Sequence, residues 1–141
     1  MLPLTNMKVI HKKIPKKFVE VLDPIFNRRI NVLLNYTPEE YSSWLTRNGI
    51  KDVTDKGFDD LAGFCTTIED KDGLTEIRIY IRTFHWTILC QGTLIHEITH
   101  AVVRIFNLNN IPFTTETQEF FAHMIGRIYE SIAEKLVVKI K

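Results

Sequence analysis

Two histidines and a glutamate stand in the order His96, Glu97, His100, inside the segment TLIHEITHAV that runs from Thr93 to Val102. The segment is otherwise suited to a buried helix. Placing two imidazoles and a carboxylate there is unfavourable unless something uses them. Residues four apart on a helix project from one face, one turn apart. Both rings can therefore reach a single ion at about 2.0 to 2.1 Å. Glu97 lies too far round the helix to be an easy third ligand. It is placed instead to hold a water on that ion and take its proton, which is the mechanical content of an HExxH pattern. With 5 His in 141 residues, random placement gives the pattern in roughly one such chain in 80. Chance is a poor explanation, the more so because the motif falls in the most strongly helical stretch of the chain.

A catalytic zinc usually takes three protein ligands and a water. Three residues downstream are candidates for the third: Glu116, Glu119 and His123. Glu119 follows His100 after 18 intervening residues, which fits a turn and an antiparallel return past the first helix. Glu116 lies close to the expected helix start and there complements the helix N-terminus. His123 shares a face with Glu119, and is either a partner that orients a ligand or the third ligand itself.

The elements that must position these residues are legible in outline. RRINVLLNY predicts a buried strand over about Arg29 to Tyr36. TPEEYSSWLTRNG predicts a short helix, with Thr37 as cap, Pro38 in the first turn, Glu40 closing a capping box and Gly49 as the stop. Ile50 to Asp60 is polar and rich in turn formers, so a loop is expected. AGFCTTIEDKDGLTEIRIYIRTF predicts a hairpin about Asp72-Gly73. A two-residue turn pairs Ile68 with Ile77, Thr66 with Ile79 and Phe64 with Ile81, and leaves Glu76, Arg78, Tyr80 and Arg82 on a wet face. That register also opposes Glu69 to Glu76, a mild penalty that favours a longer turn.

From about Trp86 to Asn107 the pattern is helical. Ile88, Leu94, Ile95, Ile98, Ala101, Val102, Ile105 and Phe106 cover nearly the whole circumference, which predicts a central, buried helix. A long amphipathic helix follows, capped by Thr115 with Gln118, its stripe running through Phe121, Met124 or Ile125, Ile128, Ile132, Leu136 and Ile140. Gly126, in mid-helix, suggests close packing against another element.

Composition narrows the rest. The chain has 45% apolar and 25% charged residues and a net charge of +1, ordinary for one globular domain over residues 1–141. Cys65 and Cys90 lack a CxxC spacing and read as small core residues of a reduced compartment. No apolar run is long enough for a membrane span, so a cytoplasmic protein is expected, acting in the host cytoplasm if virus-encoded. The basic stretch KVIHKKIPKKF reads as a solvated arm or edge strand. No aromatic platform or known nucleic-acid motif accompanies it.

With His96, Glu97 and His100 on one helix and Glu119 on the next, the chain resembles the zincin metallopeptidases, the gluzincin branch in particular. The spacing from His100 to Glu119 is nearly thermolysin-like. ETQEFFAHMIG is similar to the Glu-bearing helix of small ImmA/IrrE-like and phage-borne zincins, although their usual Glu/Asp pairing is not cleanly reproduced. The metzincin extension is absent, since AVVRIF follows His100. The likeness covers about residues 62–141.

It implies an α+β fold: a small mixed or antiparallel sheet packed on an active-site helix and a long C-terminal helix. It implies zinc held by His96, His100 and Glu119, with Glu97 as general base. It also implies a peptide or protein substrate added along an edge strand, here expected over about residues 74–82. His85, Tyr80, Tyr129 and Arg127 are the candidate oxyanion donors. A catalytically silent zinc-bearing interaction or regulatory domain, such as a phage-type host-interaction module, is the competing expectation. A nucleic-acid-binding protein that uses the basic arm is the third.

Overall fold

The computed structural model describes residues 14–49, 62–69 and 75–136. Among the described residues, four strands and three helices follow one another: β1 (Lys17–Leu22), β2 (Arg29–Leu34), α1 (Pro38–Arg47), β3 (Gly63–Glu69), β4 (Thr75–Ile81), α2 (Ile88–Leu108) and α3 (Gln118–Leu136). The class is α+β, with one mixed sheet in the order β1-β2-β4-β3. β2 runs antiparallel to β1 and parallel to β4, and β3 is antiparallel to β4. Among the described residues, no helix is long and apolar enough to cross a membrane.

Local chemistry explains the joints. Asp23 turns the chain between β1 and β2: its carboxylate accepts from the amides of Ile25, Phe26 and Arg28 at 3.0, 2.7 and 2.5 Å. β2 stops two residues short of the expected Tyr36, because Asn35 takes a left-handed φ of 65°, which Asn tolerates well. The Asn35 side chain then donates to Ile14 O and Phe84 O and accepts from the Phe84 amide at 2.7 Å, latching three segments together. α1 begins as its sequence predicts. Thr37 and Glu40 form a reciprocal capping box with Pro38 in the first turn, and Lys16 pairs with Glu40 at 2.7 Å. Lys17 opens β1, an end strand of the sheet; residues 8–13 of the basic stretch lie outside the described residues.

Both faces of the sheet are covered. On one, Val19, Val21, Ile30, Val32, Ile77 and Ile79 pack against α2 and α3, with Cys65 and Cys90 partly buried against this core. On the other, Leu33 and Tyr80 pack with Tyr36, Tyr41 and Leu45 from the α1 region. The second layer corrects the expected hairpin. Cys65 opposes Ile79 and Thr67 opposes Ile77, one residue away from the predicted register, so Phe64, not Cys65, shares a face with Tyr80. A one-residue slip exchanges the faces of a strand. It also moves Glu69 from Glu76 to Thr75, relieving the like-charge opposition. The turn itself, and the loop expected over residues 50–60, lie outside the described residues. The face expected to be wet holds Arg78 and Tyr80 fully buried beneath α1. Arg78 lies 4.6 Å from the centroid of the Trp44 ring and pairs with Glu76. Its Nε and Nη1, like Asn31 Oδ1 on the neighbouring strand, have no hydrogen-bond partner among the described residues.

Three helix expectations also change. α2 is not buried all round: Ile88 and Leu89 are 92% and 82% exposed, and Ile95 is exposed too. The start of α3 is organised by Thr114 and Thr117, which accept each other's amide hydrogens at 2.8 and 3.3 Å, in place of Thr115 and Gln118. A Cβ at Gly126 would meet nothing within 4 Å among the described residues, so no close approach requires glycine there. The close approach is at Gly63 instead, where an added Cβ would lie 2.8 Å from Tyr80 O. Gly63→Ala must push β3 away from β4. It should destabilise the protein by about 1–3 kcal/mol, read as a lowered midpoint in urea at unchanged slope.

Candidate metal centre

α2 begins at a Thr87 cap, whose hydroxyl accepts from Cys90 N at 3.2 Å. Its inner stripe of Leu94, Ile98, Ala101, Val102 and Ile105 is buried against the sheet. That burial fixes the rotation of the helix and therefore the direction of the motif. Gln91 marks the flank turned to α3, since it accepts from Tyr129 at 3.1 Å. Taking Gln91 as origin and about 100° per residue, His96 and His100 stand at about 140° and 180°, and Arg104 at about 220°. Arg104 reaches the opposite flank, where it donates to Thr67 Oγ1 and Cys65 O of β3. The imidazoles thus occupy the outward face of α2, with α3 on one side and β3 on the other.

The two rings converge. His96 Nε2 and His100 Nε2 are 3.2 Å apart, with the ring planes at 80°. An ion about 2.05 Å from each nitrogen would subtend an N–ion–N angle of about 100°, close to tetrahedral. The nitrogens present therefore fit a zinc ion. Glu97 differs from both neighbours. Its side chain is 6% exposed against 67% for His96, and its Oε1 lies 4.0 Å from His96 Nε2. At that distance it stands beside the imidazole without a hydrogen bond to it. Burial raises the Glu97 pKa above the usual carboxylate range, and His96, His100 and Arg104 partly offset this.

A groove of about 560 Å³ opens beside the motif. Ile88, Leu89, Gly92 and Thr93 form its α2 wall, Ala62 and Gly63 form its β3 wall, and it ends at His96 and Glu97. Gly92 has nothing within 4 Å of where a Cβ would lie, so the α2 wall is left low at that turn.

The other predicted residues are distributed as follows. Glu119 lies exposed in the first turn of α3. Glu116 is exposed just before that helix, and hydrogen bonds from its own backbone and from Thr114 lower its pKa. His123 is exposed, with Arg127 Nε 3.4 Å from its Nε2. Among the described residues, no three His, Cys, Asp or Glu side chains come together closely enough to hold an ion. Of the candidate oxyanion donors, Tyr80 is on the wrong side of the sheet: it packs under α1 and donates to Tyr36 O at 2.6 Å. Tyr129 is engaged with Gln91, and Arg127 with His123. His85 Nδ1 is buried with no hydrogen-bond partner among the described residues. The expected edge strand also changes. Thr75–Ile81 is β4, which lies between β2 and β3, so the edge beside the motif is β3.

Sequence reasoning missed Arg104. The available signal was its position seven residues after Glu97, two turns along the same flank of the helix. No protein-family model, curated protein or solved structure matches the chain.

Proposed function

We propose that the protein is a zinc-dependent metallopeptidase. The observation that carries this reading is the convergence of His96 and His100 at 3.2 Å next to the buried carboxylate of Glu97, 4.0 Å from His96 Nε2. A structural pair of surface histidines gives no reason to bury the Glu97 carboxylate beside them, because burying a carboxylate is costly. The exposed rings, the groove and β3, the end strand among the described residues, lie on one side of α2, as a site for an extended peptide requires.

Zinc bound there would supply a water acidified to near neutral pH and a positive charge facing the developing oxyanion. His96 and His100 would hold the ion through Nε2. Glu97 accepts the proton of the attacking water and passes it to the leaving amine. The outward backbone groups of β3 hold the substrate in extended form, with its side chains meeting the apolar wall at Ile88 and Leu89. Glu119 would be the third ligand.

The direct test is metal analysis of the purified protein, together with cleavage of a peptide library with and without zinc. A metal-free protein in zinc-supplemented medium would end this reading. Zinc without any cleavage would point to a binding domain. Within the ligand set, Glu119→Ala should weaken zinc binding by more than the roughly 10–100-fold typical of losing a supporting residue. Glu116→Ala should change it little, because that carboxylate is already engaged at the helix start. Titration with a competing chelator reads both, and the opposite order would reassign the ligand.

A further inference from the structure

Arg104 makes contacts that the reading above leaves without a role. In an antiparallel pair, alternate residues turn their N–H and C=O groups toward the partner strand and away from it. Arg82 N donates to Ala62 O at 3.1 Å. With the observed register, Ala62, Phe64 and Thr66 therefore face β4, whereas Gly63, Cys65 and Thr67 turn their backbone groups outward. This outward row is the part of β3 that can accept another strand. Gly63, at its start, borders the groove beside His96 and Glu97. Arg104 sits at its other end. Its Nη2 donates to Cys65 O at 3.1 Å and its Nη1 to Thr67 Oγ1 at 3.0 Å. A planar guanidinium holding two acceptors at once is a fixed clasp. At the far edge of the sheet, Lys135 Nζ likewise donates to Glu20 O of β1. Each end strand thus has one carbonyl taken by a basic side chain, and among the described residues none pairs with the stretch of β3 beside the imidazoles.

We propose that Arg104 sets how much peptide backbone the site can hold. The guanidinium held against Cys65 O and Thr67 Oγ1 stands where an added strand would continue and ends the open row, so that strand pairs with Gly63 and the Cys65 amide and gains nothing from longer extension past them. Arg104 is then a specificity-determining residue that favours short peptides or segments engaged over few residues. The inference takes its ligand, an extended peptide, from the peptidase reading; the geometry stands apart from it.

The test uses the zinc-loaded full chain carrying Glu97→Gln, so that bound peptide persists. Fluorescein-labelled peptides of four and eight residues with a central leucine are titrated by fluorescence anisotropy. With Arg104 present, the two lengths should bind equally. With Arg104→Ala, the longer peptide should gain about five- to tenfold for each backbone hydrogen bond released. Arg104→Lys, which can still reach the carbonyl, should restore equal binding. Arg104→Met retains the aliphatic stem and replaces the Ala variant if circular dichroism shows the latter unfolded. A length preference with Arg104 present, none in either apolar variant, or no binding of either peptide overturns the assignment. Equal binding with Arg104, a gain without it and no hydrolysis by zinc-loaded wild type would end the peptidase reading and uphold Arg104.

Discussion

Glu97→Gln is expected to keep zinc and lose hydrolysis. The amide has nearly the shape of the carboxylate and cannot accept the proton of the attacking water. Loss of a positioned general base costs about 10²–10⁴ in rate, so cleavage should fall by roughly a thousandfold at unchanged zinc content. Stability should move the other way. Burial raises the folded-state pKa of Glu97, so the folded metal-free chain binds more protons than the unfolded chain across that window. Stability then falls as pH rises through it. At neutral pH the metal-free Gln variant should melt higher than metal-free wild type, and below the ordinary carboxylate range the difference should vanish. Melting curves at two pH values read this. A Gln variant that hydrolyses at the wild-type rate would remove Glu97 from the chemistry.

Zinc should raise the melting temperature of the wild type, and removal of the two imidazoles should abolish that rise. A ligand bound only by the folded state stabilises by RT ln(1 + [L]/Kd), about 2.7 kcal/mol at a hundredfold excess over Kd. For a chain of this size that corresponds to roughly 8 °C. His96→Ala and His100→Ala should each lose most of the effect, because one remaining imidazole cannot replace the convergent pair at 3.2 Å. Without metal, both variants should melt near the wild type, since both rings are exposed and lie outside the core. Scanning calorimetry with zinc and with EDTA separates the two contributions. An equal zinc shift in wild type and in the double variant would place the metal elsewhere.

The sequence by itself determined what short-range chemistry controls. The spacing of His96 and His100 puts two rings on one helix face wherever that helix lies, and four residues are close enough for local geometry to decide. The Thr37–Glu40 box, the strand at Arg29 and the buried stripe Met124, Ile128, Ile132 and Leu136 are local in the same sense. The tertiary structure decided whatever depended on partners distant in sequence. The pairing of β3 with β4 slipped by one residue because Tyr80 and Arg78 are buried under α1, a cover that the alternation in β4 alone cannot reveal. The same sheet order made β4 an inner strand and gave the open edge to β3. α2 proved apolar beyond its buried side, and only its packing on the sheet shows which of its faces, the one carrying the two imidazoles, is turned outward. Arg104 belongs to this second class: its clasp on Cys65 and Thr67 joins residues 39 and 37 positions apart. Hydrogen bonds of that span exist only once the sheet and helix are stacked.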